Sequence, residues 1–441
     1  DMSAATKNLT LGAPLLLTSS QTWNVASGRT LTVSPDVMDS IANSGYGITK
    51  SGLGTLVMGA NNTFSGSLTL QSGQLSISGL QTTTVQENQS ITLPSDAVVV
   101  SAVYGDLDGG SGSINVTGRV TQMLAAGTLS IPANNSTWTD PSPGSVRSMQ
   151  ITYRRSTGSF GTGAFVISGG SLDNISGLPF TLSNSVQLNG DFNFIGTGDL
   201  SFGTGAVALG GNRQITVSAS TLSIGGVMSG SYSMTKAGAG NLVLSGANVY
   251  TGDTTVTAGT LQLGDGGTTG SLSLASAISV SGGAFLAFNR SGKIVQGTDF
   301  KTVISGTGSL LQLGSGSLSI ASGNTYTGGT TIQAGTVFLA GSAGTELGPL
   351  LTSGTLTISG GSLNFGANAS YVVGALAGGG RLELTNNLSQ AVAFTVGNSL
   401  GYSNIFSGTL VGVGSLTKSG AGKQILSGAN SYSGLTTVGA G

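Results

Sequence analysis

The chain is 441 residues long, with 76 glycines, 8 prolines and 7% charged residues, against about 25% charged in an ordinary soluble domain. It has no cysteine and no histidine, which excludes disulfides, thiolate sites, His-ligated metals and imidazole-dependent nucleophilic triads. Its 15 basic and 16 acidic residues nearly cancel to −1 and form no basic stripe, so no nucleic-acid partner is expected, and 38% apolar content excludes disorder.

No apolar run approaches the roughly 18 residues of a membrane span, so no membrane span is expected in this chain. It opens on strand-like text, Leu9-Thr-Leu11 and Leu15 to Leu17, with no polar or helical cap. From Lys50 a pattern begins that returns at Lys236, Gln312 and Lys418 without a gap. Counted from that residue as zero, glycine stands at position 2 (Gly52, Gly238, Gly314, Gly420) and at position 4 (Gly54, Gly240, Gly316, Gly422). Position 8 is apolar, position 12 is Asn62, Asn248, Asn324 or Asn430, and position 14 is Phe64, Tyr250, Tyr326 or Tyr432. Another glycine follows at position 16, then a second apolar strand through Leu70, Val256, Ile332 and Val438, then a glycine at position 23 and a third strand such as Leu75-Ser76-Ile77.

Alternation of apolar with Ser, Thr or Gln over three to six residues is the period of short strands with one buried face. Glycine and asparagine tolerate the tight bends between them. Three short strands and three bends in about 27 residues describe one rung of a parallel β-helix, stacked strand on strand with its neighbours. A β-sandwich would need longer strands at 8 to 12 residue spacing.

Between the first two copies lies a stretch of different character, from Thr83 to Ser156. It holds Pro94, Pro132, Pro141 and Pro143, the arginines Arg119, Arg147, Arg154 and Arg155, and the acids Asp96, Asp106, Asp108 and Asp140. Its strands are longer (Asp96 to Tyr104, Ser113 to Thr117, Gln150 to Arg154), and Val120 to Ala126 is the one helical turn expected in the chain. Removing this stretch brings the interval from Lys50 to Lys236 close to the 106 residues between Gln312 and Lys418, as one insertion into a regular array would. The expected division is therefore β-solenoid over 1–82, an inserted β-rich module over 83–156, and further solenoid rungs over 157–441.

The segments KAGAGNLVLSGANVYTGDTTVTAGTLQLGDGG from Lys236 and KSGAGKQILSGANSYSGLTTVGAG from Lys418 closely resemble the autotransporter-associated β-strand repeat, also called the passenger-associated transport repeat, of bacterial surface proteins. Linking text such as VQLNGDFNFIGTGDLSFGTGAVALGGNRQITVS is similar to the same family, and the resemblance covers most of the chain outside the insert. It implies a right-handed parallel β-helix exported from a bacterial cell, at the cell surface or in the extracellular space.

For chemistry only carboxylates, hydroxyls, Lys, Arg and Tyr remain. A glycosidase needs two carboxyls at a defined separation, and the nearest pairs are Asp106 with Asp108 and Asp191 with Asp199, all beside glycine in turn-like text. The recurrent Lys50, Lys236 and Lys418 are expected to snorkel from a rung edge, since Gln312 replaces them without other change. The recurrent Asn and aromatic pair offers either a carbohydrate platform or, as the preferred reading, a bend filler and a corner cover. LGDGGTTG from Leu263 to Gly270 does not repeat as a calcium nonapeptide. No catalytic, cofactor-binding or metal residue is assigned, and no cofactor.

The expected function is a non-enzymatic structural solenoid, a stiff surface rod or head-to-tail filament that self-associates through its terminal rungs. The alternative is an adhesin that binds a glycan or a surface protein through the insert. Helix content is expected to be negligible.

Overall fold

A computed structural model describes residues 1–33, 37–40, 43–59, 61–107, 112–139, 146–301, 303–321, 323–340, 354–397 and 403–440. The chain is nearly all β, built from parallel stacked coils that form a β-solenoid, and helix makes up 2% of it. Two compact units divide it: Asp1–Gln187 with Phe192–Gly205, and Leu188–Asp191 with Ala206–Gly441.

In the first unit each coil lays one short strand on each of three parallel ladders. One ladder stacks Leu9–Leu11, Thr30–Val33, Thr55–Met58, Gln74–Ile77, Ser171–Asn174 and Phe192–Phe194. A second stacks Gln21–Asn24, Ile48–Ser51, Leu68–Leu70 and Phe165–Ile167, and a third Asn61–Asn62, Thr157–Phe160, Phe180–Leu182 and Leu200–Ser201. Alternate residues point inward, so Leu56, Met58, Leu68, Leu70, Leu75 and Ile77 are completely buried. Each such side chain is worth about 1.5–3 kcal/mol relative to exposure, and stacking makes the apolar column continuous.

The repeat seen in the sequence is not one rung. Lys50 pairs with Leu70 and Met58 with Ile77, so a coil closes after about 20 residues and the strand Gln74–Ile77 lies directly on Thr55–Met58. The same register joins Lys236 to Val256 and Leu244 to Leu263, and Gln312 to Ile332 and Ile320 to Leu339. Each copy is thus a corner between two strands together with the corner stacked on it. A strand that carries the Lys as its last residue but one, Ile48–Ser51 or Met234–Ala237, opens the copy.

In the second unit these corners walk around the coil. Met234–Ala237 stacks with Thr254–Val256 and Ile278–Val280, and Asn241–Leu244 stacks with Thr260–Leu263 and Phe285–Phe288. That last ladder continues into Ser309–Gln312, the first strand of the next copy, whose second strand Ser317–Ala321 sits on another ladder with Thr336–Ala340. The corner motif is therefore independent of the face on which it occurs.

Between Gln74–Ile77 and Thr157–Phe160 the chain leaves the coil and builds an antiparallel sheet in the order Leu80–Gln86, Ser148–Arg154, Val98–Gly105, Ser113–Asn115. Ser90–Thr92 pairs with Ser130–Pro132, and the helix is Thr117–Ala125, three residues earlier than expected at its start. A separate core gathers Ile91, Tyr104, Val120, Trp138, Met149 and Ile151, among others.

Candidate functional site

The recurrent residues meet at the corners. Lys50 leaves strand Ile48–Ser51 pointing inward and is fully buried, as is Lys236. Lys50 Nζ donates to the carbonyls of Ser51 (2.7 Å) and Gly52 (2.8 Å) and to Ser72 of the next coil (3.1 Å). Lys236 Nζ repeats this on Ala237 (2.9 Å), Gly238 (2.7 Å) and Ala258 (3.0 Å), and Lys418 Nζ on Ser419, Gly420 and Ala440. Snorkelling is overturned for Lys50 and Lys236: three main-chain acceptors converge on an ammonium, which has three donors and no lone pair. Gly52 and Gly238 make this convergence reachable by adopting φ of +72° and +77°, where a side chain would be strained. Burial pushes both lysines down to about 8.

Asparagine at position 12 ties the bend at the far end of the second strand. Asn248 Oδ1 accepts from Met228 N in the coil before (3.0 Å), and its Nδ2 donates to Gly246 O (3.0 Å) and to Ser271 O in the coil after (2.9 Å). Asn62 does the same with Val37 N, Gly59 O and Ser159 O, and Asn430 Oδ1 accepts from Leu410 N. Asn324 adds a side-chain pair with Gln296. Asn184 plays this part outside the repeats, with Phe160 N and the carbonyls of Gly161 and Gly163. Its role is visible only in the structure because its flanks lack the motif.

The rings at position 14 are no open platform. Phe64, Tyr250 and Tyr326 are buried, and Tyr432 is half-buried. Tyr250 shares a hydrogen bond with Thr254 (2.6 Å), Tyr326 with Thr330 (2.7 Å), and Tyr432 with Thr436. Burial raises Tyr250 and Tyr326 well above the usual phenol range. Where the ring is Phe64, the residue four positions on is Leu68 rather than threonine, so a ring without a hydroxyl faces a side chain without one.

Several of the described carboxylates are held in structural bonds. Asp106 is among the described residues and Asp108 lies outside them. Asp191 accepts from Gln214 N (2.8 Å) beside Arg213, while the Asp199 main chain accepts from Asn174 Nδ2 and Phe180 N. Asp265, in the glycine-rich segment, accepts from Gly267 N, and among the described residues no three acidic side chains cluster as metal ligands. Among the described residues no helix is long and apolar enough to cross a membrane.

The antiparallel segment concentrates the polar side-chain networks. Arg147 pairs with Glu87 (3.0 Å), which also accepts from Asn135, while Tyr104 donates to Asn135. Arg119 stacks over the Trp138 ring at 5.3 Å, and Trp138 Nε1 donates to Pro132 O. Asp96 accepts from Arg155, Ser156 and Thr157; burial opposes its ionisation, and these donors outweigh it to hold the carboxyl below the usual range. Nothing in the repeat register signals Asp96, which occurs once.

The profile described as Passenger-associated-transport-repeat matches residues 48–77, 234–263, 310–337 and 416–441. Each of the first two matches opens on the strand bearing the Lys and closes with the strand stacked on its second. The chain is similar to an Adhesin BmaC autotransporter of Brucella suis biovar 1 (strain 1330), 28% identical over 476 residues, covering 93% of this chain and 13% of that protein. No solved structure matches. The chain carries four passenger-associated transport repeats on a β-solenoid, with the extracellular or cell-surface location those repeats imply.

Proposed function

We propose that this chain is a non-enzymatic structural segment of a bacterial surface passenger: a stiff solenoid that carries residues 83–156 as a module for adhesion. The observation that carries it is the direction of the recurrent polar groups. The buried ammoniums, the Asn amides and the Tyr hydroxyls all bond neighbouring main chain or neighbouring threonines. They are spent on holding coil to coil and leave no recurrent group for substrate. Rigidity follows, since each coil is fixed to the next through ladders, corner staples and a shared apolar column.

Adhesion through the module is favoured by the relative, whose name is that of an adhesin, and by the module's own core and charged side chains. A variant lacking 83–156 is expected to keep the β spectrum and melting behaviour of the solenoid, because an inserted loop costs little closure entropy, and to lose binding on a glycan array and to immobilised surface proteins. Equal binding by both proteins would exclude the module as the adhesive part, and cooperative unfolding of the deletion variant at a much lower temperature would exclude the division at 83 and 156. End-to-end association of such segments belongs to the same reading. Rods that lengthen with concentration in light scattering support it, and a single size at all concentrations counts against it.

A further inference from the structure

We infer that Asp96 is a latch that fixes the orientation of the antiparallel module on the coil from which it emerges. The module joins the solenoid through two adjacent strands, with Leu80 paired to Arg154 and Arg155 N donating to Gly79 O (2.9 Å). Val98 pairs with Arg154 on the other side, and there the module's own ladder stops, before the coil strand Thr157–Phe160 begins. Asp96 supplies a third attachment from elsewhere in the module. It sits in the turn that connects Ser90–Thr92 to Val98–Gly105, where Ala97 N donates to Pro94 O.

Its carboxylate receives four donors from the segment that re-enters the coil. Oδ1 accepts from Arg155 Nε (3.2 Å), and Oδ2 accepts from Ser156 N (3.2 Å), Thr157 N (3.1 Å) and Thr157 Oγ1 (2.8 Å). Arg155 and Ser156 close the module, and Thr157 opens the coil strand Thr157–Phe160. Ser156 O accepts from Thr181 N (2.7 Å), Thr157 pairs with Thr181, and Ser159 pairs with Asn61 on the opposite side. Bonds to a carboxylate are about twice as strong as neutral ones, and both side chains of the Asp96–Arg155 pair are more than four-fifths buried. One side chain thus bridges 60 positions of sequence and clamps module turn to coil strand. A mobile tether would let the module swing, whereas this clamp presents it in one direction.

The inference rests on reading residues 83–156 as a module, and its test uses the full chain so that the two are separable. Asp96→Asn and Asp96→Ala are compared with wild type for the rate of tryptic cleavage after Arg154 and Arg155, with cut sites assigned by mass. In a Trp23→Phe background the emission of Trp138 reports the module core, and Glu87→Gln, which removes an ion pair within the module, serves as control. Loss of the latch predicts cleavage accelerated about tenfold or more in Asp96→Ala, as expected when several charge-assisted bonds protect a segment, with a smaller rise in Asp96→Asn. Amide exchange at Ser156 and Thr157 rises in parallel, Trp138 emission stays unchanged in Asp96→Asn, and Glu87→Gln cleaves at the wild-type rate. Unchanged cleavage in Asp96→Ala overturns the latch. So does a shift of Trp138 emission in Asp96→Asn, because Asp96 is then part of what folds the module rather than what aims it.

Discussion

The corners at Lys236 and Gln312 follow one sequence pattern and close differently. Lys236 reaches two carbonyls of its own coil and one, Ala258, of the next. Gln312 reaches Gly314 O (2.9 Å) and Gly316 O (3.3 Å), both in its own coil, and its Oε1 is buried with no hydrogen-bond partner. Gly238 adopts φ of +77°, and Gly314 does not enter that region. An ammonium offers three donors where an amide offers two and carries an acceptor that must be satisfied. Lysine therefore staples successive coils, while glutamine only closes a bend.

The largest break expected removes the corner altogether. A Cβ on Gly240 would sit 2.7 Å from Val217 Cγ1 and 2.8 Å from the Ala219 carbonyl carbon and oxygen, in the coil below. Gly240→Val is expected to cost more than about 4 kcal/mol, the range of severe backbone conflicts, and to expose the flanking strands to rapid amide exchange. Gly316 meets Gly292 and Ser291 main chain in the same way, so Gly316→Val should be as damaging although its corner lacks the lysine. A mild effect at either site would separate the two corners more deeply than their side chains do.

Removing the staple comes next. Lys236→Met keeps the apolar stem and leaves three buried carbonyls short of a donor, for a loss of about 3 kcal/mol. Gln312→Met abandons two carbonyls but also removes the orphaned Oε1, and about 1 kcal/mol is expected. Local amide exchange at the strands Thr254–Val256 and Thr330–Ile332 measures each, and equal losses would erase the distinction between staple and bend.

A smaller effect tests the ring. Tyr250→Phe deletes the bond to Thr254, whose hydroxyl keeps its bond to Ser276 (2.7 Å), so about 1 kcal/mol is expected. Adding Thr254→Leu recreates the side-chain pair of Phe64 and Leu68. The double variant is expected to lose less than the sum of the two single losses, and additive losses would show that ring and partner act independently.

Much of this was legible in the sequence, because a pattern repeated four times at fixed spacing exposes what each position must tolerate. Strand alternation, the glycine positions and the bend role of Asn are all there. The length of the coil was not. The strand Ile48–Ser51 looks like flanking text until the pairing of Lys50 with Leu70 is seen, since in-register parallel stacking makes residues 20 apart neighbours without any local mark. The burial of lysine was hidden by Gln312, which made the position look permissive while it was carrying a different set of bonds. Asp96 left no periodic trace, and only the return of the chain at Ser156 gives it its partners.

The last test concerns the proton on the staple. Folded Lys50 and Lys236 release it near pH 8, and an unfolded lysine near 10.5. Between these values the unfolded chain binds more protons, so stability due to these groups rises with pH, having been flat below about 8. Two tyrosines act in the opposite sense only above pH 10: Tyr250 and Tyr326 hold their protons more tightly folded than unfolded, so their contribution is lost as phenols ionise in the unfolded chain. The window from pH 8 to 9.5 therefore isolates the lysines. In it the melting temperature of wild type is expected to climb relative to a Lys50→Met, Lys236→Met double variant, which has no buried amine to titrate. The competing force is the trio of carbonyls, which favours the charged form. A gap between the two proteins that stays constant to pH 9.5 would mean that those bonds outweigh burial, that the ammonium persists in the folded corner, and that the difference between the Lys236 and Gln312 corners is one of charge as much as of donor number.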